Sequence, residues 1–261
     1  MTEKKDSMRG TEGAGGTDGS KPPRRRRIGR WLAGAIAVVG VLAVAGPFVY
    51  INFFREDPPP PLSFDALDAA ASEAGSASDA SAEQTSSVAG EQSQWSVVQP
   101  SQAGYRVDEV LSGQSVTAVG RTETVDGTVT IEGTTVTAAE INVDLASITS
   151  DSSRRDGQFR GRIMNTEEFP VATFVLSSPV ELTTFPGADP TTTSVKGTLS
   201  LHGTEKPVTL DVSARMINGK AELTGSLEIV FEDWGIPNPS IGPVRTEDRG
   251  LMEFAVSLAP A

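Results

Sequence analysis

The chain has 261 residues, a formal net charge of −12 and no cysteine, which excludes disulfides, thiolate catalysis, thiolate metal sites and a lipid-modified cysteine anchor. The charge is unevenly placed: residues 1–30 hold nine Lys/Arg against four Asp/Glu, and the rest of the chain holds 13 against 30. An acidic body of that kind is a poor partner for nucleic acid, where affinity comes mainly from neutralising phosphates.

Residues 1–30 are polar and end in KPPRRRRIGR. Residues 31–54, WLAGAIAVVGVLAVAGPFVYINFF, carry no charge and only one strongly polar side chain, Asn52. Roughly 20 apolar residues span a bilayer core as a helix. Arg24 to Arg27 and Arg30 precede the run, and positive flanks stay in the cytoplasm. The expectation is a single transmembrane helix over 31–54 acting as a signal anchor in the cell membrane. The basic tail is then cytoplasmic and everything after Phe54 extracytoplasmic. Ala43-Val44-Ala45 is a cleavage-like pattern and offers the competing reading of a signal peptide, although the apolar run continues past it to Phe54. Both readings export the C-terminal region.

Residues 55–94 open with REDPPPP and carry eight acidic residues and one arginine. Too little apolar surface is present to offset ordering entropy, so a disordered stalk is expected, with a root-mean-square span of about 35 Å. The piece FDALDAAASEA has helix-forming composition but no useful apolar face.

From Trp95 the pattern changes to period-two alternation, the mark of half-buried strands. Strands are expected at 106–111, 115–121, 128–131, 140–144 and 172–176, and these place Val129, Ile131, Ile141, Val143, Phe174 and Leu176 on apolar faces. VKGTLSLHG puts Val195, Leu199 and Leu201 on one face, with Lys196, Thr198, Ser200 and His202 on the other. The next two runs place Leu210, Val212, Ala214 and Met216, then Leu223, Leu227, Ile229 and Phe231, on one face each. Asn218-Gly219 lies between them and signals a tight hairpin turn. A last strand at 251–258 carries Phe254 and Val256. About eight or nine antiparallel strands follow, an all-β domain over 95–261. Alternation fits a sandwich and a closed barrel equally well.

Between the fourth and fifth of these strands lies SRRDGQFRGRIMNTEEFP, with four arginines, Arg154, Arg155, Arg160 and Arg162, within nine residues. A short helix is expected there. Ser152 or Ser153 is its N-cap, Asp156 lies in its first turn, and Phe159, Ile163 and Met164 form its apolar side. Arg155 can pair with Asp151 or Asp156, and Arg162 with Glu167 or Glu168. The acidic neighbours, and the lack of any aromatic besides Phe159 interleaved with the arginines, argue against a nucleic-acid patch. Two roles stay open: fixing the helix over one end of the β-domain, or contacting a lipid headgroup through Arg154, Arg155 and Arg160. His202 is the only histidine. It has no companion for a metal site, and no G-x-S-x-G elbow supplies a nucleophile. A structural hydrogen bond in a hairpin is the expected role, and no catalytic residue, metal or cofactor is read from the chain.

Several segments in order resemble the YceI-like family of exported lipid-binding proteins. They are GYRVDE (104–109), INVDLASITSD (141–151), RRDGQFR (154–160), EFPVATFVLSS (168–178), VKGTLSLHGTEKPVTLDV (195–212) and WGIPNPSI (234–241). The resemblance implies a lipocalin-like antiparallel β-barrel of about eight strands with a polyisoprenoid or isoprenoid quinone along its interior. Glu232 stands where many members have a basic residue, which leaves the headgroup open. On this reading Val129, Ile131, Ile141, Val143, Phe174, Leu176, Leu199, Leu201, Leu210, Val212, Leu223, Leu227, Ile229, Phe231, Phe254 and Val256 face the ligand. The small residues Gly197, Ala214, Ala221 and Gly225 are expected to leave interior volume unfilled. The expected function is a membrane-tethered, extracytoplasmic lipid-binding protein for storage or transfer. The alternatives are a stalk-displayed β-domain that binds a cell-envelope protein, and an enzyme acting on a polyprenyl lipid. The enzyme would need two convergent titratable groups in a deep pocket.

Overall fold

The computed structural model describes residues 57–75, 92–111, 113–182, 186–242 and 244–261. The basic tail, the apolar run 31–54 and stalk residues 55–56 and 76–91 lie outside the described residues. Among the described residues, no helix is long and apolar enough to cross a membrane.

Among the described residues, twelve strands form one continuous antiparallel sheet. They are β1 (Gln92–Leu111), β2 (Gln114–Thr122), β3 (Val125–Glu132), β4 (Thr135–Asp144), β5 (Thr149–Ser150), β6 (Val171–Leu176), β7 (Val180–Glu181), β8 (Thr191–Leu201), β9 (Thr204–Ile217), β10 (Lys220–Val230), β11 (Val244–Thr246) and β12 (Arg249–Pro260). The order β1-β3-β4-β6-β8-β9-β10-β12 returns to β1, since β12 pairs with β1 from Trp95↔Pro260 to Arg106↔Leu251. The sheet is therefore an eight-stranded closed barrel. Closure removes the free sheet edges that a sandwich would have to protect.

β1 spans 20 residues, much longer than the expected 106–111. Its first half pairs with β3 and its second half with β2, and the register shifts between Val98 and Gln102. The irregular stretch around Pro100 breaks the alternation, which hides the first half from a period-two reading. The β9–β10 hairpin turns on Asn218 and Gly219, with φ of 49° and 76°, as the Asn-Gly signal requires. His202 is corrected from a strand position to a turn. With Gly203 it forms the two-residue β8–β9 turn, at φ of 50° and 72°.

The arginine-rich segment caps one end of the barrel. Ser152 is the N-cap of a helix over Ser153–Gln158, which continues into a π-helical turn over Phe159–Ile163. Phe159 and Met164 are buried in the core cluster with Leu199, Leu201, Ile229, Phe231, Trp234 and Ile236. Asp156 is buried and accepts from the Ser150 backbone N–H at 2.9 Å and the Ser150 hydroxyl at 2.6 Å.

Part of the expected stalk is ordered and docked, a correction to its disordered reading. Residues 57–63 run extended along the outer wall, and Phe64–Gly75 is helical. Leu62 and Leu67 pack on Ala255, with Leu67 only 1 % exposed. Three residues of the polar outer wall hold this strap. Arg106 donates to the Pro59 carbonyl at 2.7 Å, Arg121 donates to that of Pro60, and Glu253 accepts from the Leu62 N–H at 3.3 Å. Pro58 to Pro61 lack an N–H, so this run cannot pair as a strand and offers only carbonyls. Arg121 reaches Glu253 at 3.1 Å across Gly104, which pairs with both of them and has no side chain to block the path. Arg215 lies 4.6 Å from the centroid of the Phe64 ring and pairs with Asp68 at 2.6 Å and Glu222 at 2.7 Å. The apolar face that the sequence reading did not find is small, made of Leu62 and Leu67 with the partly buried Phe64 and Ala66.

Candidate lipid-binding cavity

The inward faces of the eight barrel strands enclose a cavity of about 320 Å³ with almost wholly apolar walls. All sixteen residues expected to face a ligand line it: Val129 and Ile131 on β3, Ile141 and Val143 on β4, Phe174 and Leu176 on β6, Leu199 and Leu201 on β8, Leu210 and Val212 on β9, Leu223, Leu227 and Ile229 on β10, Phe231 just after it, and Phe254 and Val256 on β12. Strand alternation carried them inward together, because every barrel strand presents one face to the same interior.

Wall residues beside the cap, such as Leu199, Leu201, Ile229 and Phe231, are buried. Those at the opposite end are mixed: Leu182, Val212 and Met216 are partly exposed, whereas Ile131 and Ala221 are buried. A second buried cluster packs the β1 side of the barrel, formed by Trp95, Val129, Ile131, Ala221, Val256 and Leu258.

Two of the small residues do not act as expected. A side chain on Gly197 would strike the Phe174 ring, and one on Gly225 would come within 2.6 Å of Phe254 Cζ. These glycines receive aromatic rings from neighbouring strands and so do not open volume themselves. Ala214 and Ala221 do line the cavity.

The arginine island divides. Arg155 lines the cavity, pairs with Asp151 and lies 3.9 Å from Glu109. Arg154 is exposed and outside the cavity wall, and Arg160 directs Nη1 to the Ile148 carbonyl at 3.4 Å. Arg162 donates to the carbonyls of Asn238 at 3.3 Å and Pro239 at 2.9 Å, where pairing with Glu167 or Glu168 was expected. The island therefore ties the cap to the 235–240 loop. His202 lies 3.2 Å from the Trp234 carbonyl through Nδ1 and packs edge-on against Phe169. The carbonyl can only accept, so Nδ1 carries the proton. Neither His202 nor Asp156 is part of the cavity wall.

Sequence reasoning missed the polar wall residues Tyr105, Glu109 and Thr246. Tyr105 stacks on Phe159 with ring centroids 4.9 Å apart. Burial raises its phenol above the ordinary range, the nearby Arg155 charge opposes this, and Asp156, Glu109 and Asp151 reinforce it. A signal was present: Ala103, Tyr105, Val107 and Glu109 share one face of β1, so a carboxylate stands on an inward face.

The fold is thus a closed eight-stranded antiparallel β-barrel with one end capped by a short helix and an apolar interior. The YceI-like domain matches residues 68–258, and the chain belongs to that family. Among solved structures, a polyisoprenoid binding domain from Saccharophagus degradans implicated in plant cell wall breakdown has 17 % identity and a TM-score of 0.52. That likeness covers 66 % of this chain and 100 % of the other. BcnA from Burkholderia cenocepacia follows at 19 % identity and a TM-score of 0.46, covering 59 % of this chain and 95 % of that one. A Campylobacter jejuni YCEI protein gives 13 % identity and 0.40, covering 54 % and 84 %. No curated protein sequence matches the chain.

Proposed function

We propose that the protein is a membrane-tethered, extracytoplasmic carrier that holds a polyisoprenoid or isoprenoid-quinone chain inside the barrel for storage or transfer. The observation that carries this reading is the apolar cavity of about 320 Å³. At the scale on which an apolar cavity of about 150 Å³ takes a benzene ring, it accommodates on the order of a dozen carbon atoms of a chain. Burial at about 0.8 kcal/mol per methylene outweighs the ordering cost of a flexible chain without any polar anchor. The S. degradans relative of the same fold is named as a polyisoprenoid binding domain, which supports this ligand class. Tethering by residues 31–54 rests on their uninterrupted apolar run and the arginines before it.

Native mass spectrometry of the full chain, released from detergent micelles after purification from its own membranes, tests the reading. A bound mass matching an isoprenoid lipid is the expected result. A clean apo mass, with no uptake of added isoprenoid quinone, overturns it. For the tether, carbonate extraction should leave the protein in the membrane fraction.

A further inference from the structure

The barrel closes where β12 meets β1, and that seam contains a gap. The pairing is regular from Trp95↔Pro260 to Val98↔Ser257, and again from Gln102↔Ala255 to Arg106↔Leu251. Between these runs β1 places Gln99, Pro100 and Ser101 against Val256 alone. Pro100 has no N–H to give to the ladder. A side chain bridges the gap instead. The Ser101 hydroxyl donates to the Val98 carbonyl at 2.7 Å and accepts from the Ser257 N–H at 3.0 Å. The Ser257 hydroxyl is buried and has no hydrogen-bond partner among the described residues. A locally disrupted ladder is the part of a sheet that opens most readily.

The docked strap lies over this gap. Leu62 and Leu67 cover Ala255, which borders the gap through its pairing with Gln102 and is 0 % exposed. The other strap contacts fall on both sides of the seam. Arg106 of β1 and Arg121 of β2 hold Pro59 and Pro60, Glu253 of β12 holds Leu62, and Arg215 of β9 holds Asp68. On the inner side of the same stretch, Ala103, Phe254 and Val256 line the cavity. One layer of sheet therefore separates the strap from the cavity.

The strap can leave without stranding a charge. Arg106 and Arg121 remain paired with Glu253 at 3.5 and 3.1 Å, and Arg215 with Glu222 at 2.7 Å, all within the barrel. Beyond its apolar contacts, the strap supplies two proline carbonyls, the Leu62 N–H and the half-exposed Asp68 carboxylate. An element whose removal left a buried charge unpaired would be locked in place, and this one is not. The ends of the barrel are less open to a lipid chain. Phe159 and Met164 fill the capped end, and Trp95, Ile131 and Leu258 are buried at the other.

We propose, resting on the carrier reading above, that residues 57–75 form a latch over a side entrance to the cavity. Release of the strap lets β1 and β12 part at the gap between Val98 and Gln102, and the lipid chain enters and leaves there.

The test follows replacement of bound isoprenoid quinone by its deuterated form in the full chain in detergent, read over time by native mass spectrometry. Amide hydrogen exchange on the same samples measures strap opening. Leu67→Ala removes the most buried strap contact and should speed both strap opening and quinone exchange by about 30-fold. The bound fraction at equilibrium should stay the same, because the cavity wall is untouched. Asp68→Ala removes a half-exposed ion pair and should raise both rates by about twofold. Quinone exchange that does not follow the strap amides in these variants overturns the latch and leaves the carrier reading standing. Faster quinone exchange with equal acceleration of the β8 and β9 amides also overturns it, since the lipid would then escape through general unfolding. A parent protein that holds no quinone overturns the carrier reading and the latch with it.

Discussion

Leu67→Ala probes the docked strap and separates it energetically from the barrel. The Leu67 side chain is 1 % exposed, packed with Leu62 against Ala255 on the outside of the wall. Leucine-to-alanine changes in sealed cores cost about 2–5 kcal/mol, and the spread reflects how far the site can collapse. Here the helix Phe64–Gly75 is tied to the barrel through Arg215 and three strap hydrogen bonds, so it can shift to close the gap. The lower bound, about 2 kcal/mol, is therefore expected. A helix of 12 residues is marginal alone in water, so whatever amide protection it has must come from docking. Hydrogen exchange read by mass spectrometry should show the strap amides exchanging about 30-fold faster in the variant, while β8 and β9 amides keep their rates. Equal strap exchange in both proteins would refute the docking. An equal loss of protection in the barrel would refute its independence, since strap and barrel would then open as one unit.

Three further perturbations test other parts of the reasoning. Gly225→Ala places a methyl group 2.6 Å from Phe254 Cζ and 2.8 Å from the Asp211 carbonyl, so thermal or urea unfolding should show a loss of about 1–3 kcal/mol. Asp156→Ala removes the acceptor of both Ser150 donors and should cost about 1–3 kcal/mol in the same assay; no measurable change would show that the cap does not depend on this contact. The raised Tyr105 phenol predicts a stability contribution that is intact below the ordinary tyrosine value of 10.0. As pH rises above it, the unfolded chain ionises first and this contribution is lost. Tyr105→Phe should therefore flatten the alkaline fall in stability measured by denaturant titration, and an identical slope in both proteins would contradict burial of the phenol.

Local pattern made much of this protein legible. The inward residues from Val129 to Val256 were identifiable because period-two alternation depends only on the pleat of each strand. The β9–β10 turn was identifiable because Asn-Gly suits the left-handed backbone that such a turn imposes. The cap helix was visible in Ser152, Asp156 and the apolar trio Phe159, Ile163 and Met164. The misses share a cause, which is dependence on partners distant in sequence. Gly197 and Gly225 look like empty positions until Phe174 and Phe254 are placed over them from neighbouring strands. Arg162 looks like a mate for Glu167 until the 235–240 loop arrives with its carbonyls. His202 reads as one more alternating residue until the β8–β9 register puts it in the turn.

By itself, the sequence determined an all-β domain with one apolar face per strand, a helical interruption and a family membership carried by ordered motifs. Those properties follow from local backbone geometry and short-range spacing. Only the tertiary structure decided that the sheet closes, because closure rests on β12 finding β1 across about 150 residues of chain in a register that alternation leaves free. Closure in turn produced the cavity, brought Tyr105, Glu109 and Thr246 to its closed end, and exposed an outer wall on which Leu62 and Leu67 could dock. Two leucines in a polar linker have no burial of their own. They gain it only where Ala255 and the Arg106–Glu253–Arg121 row present a matching surface.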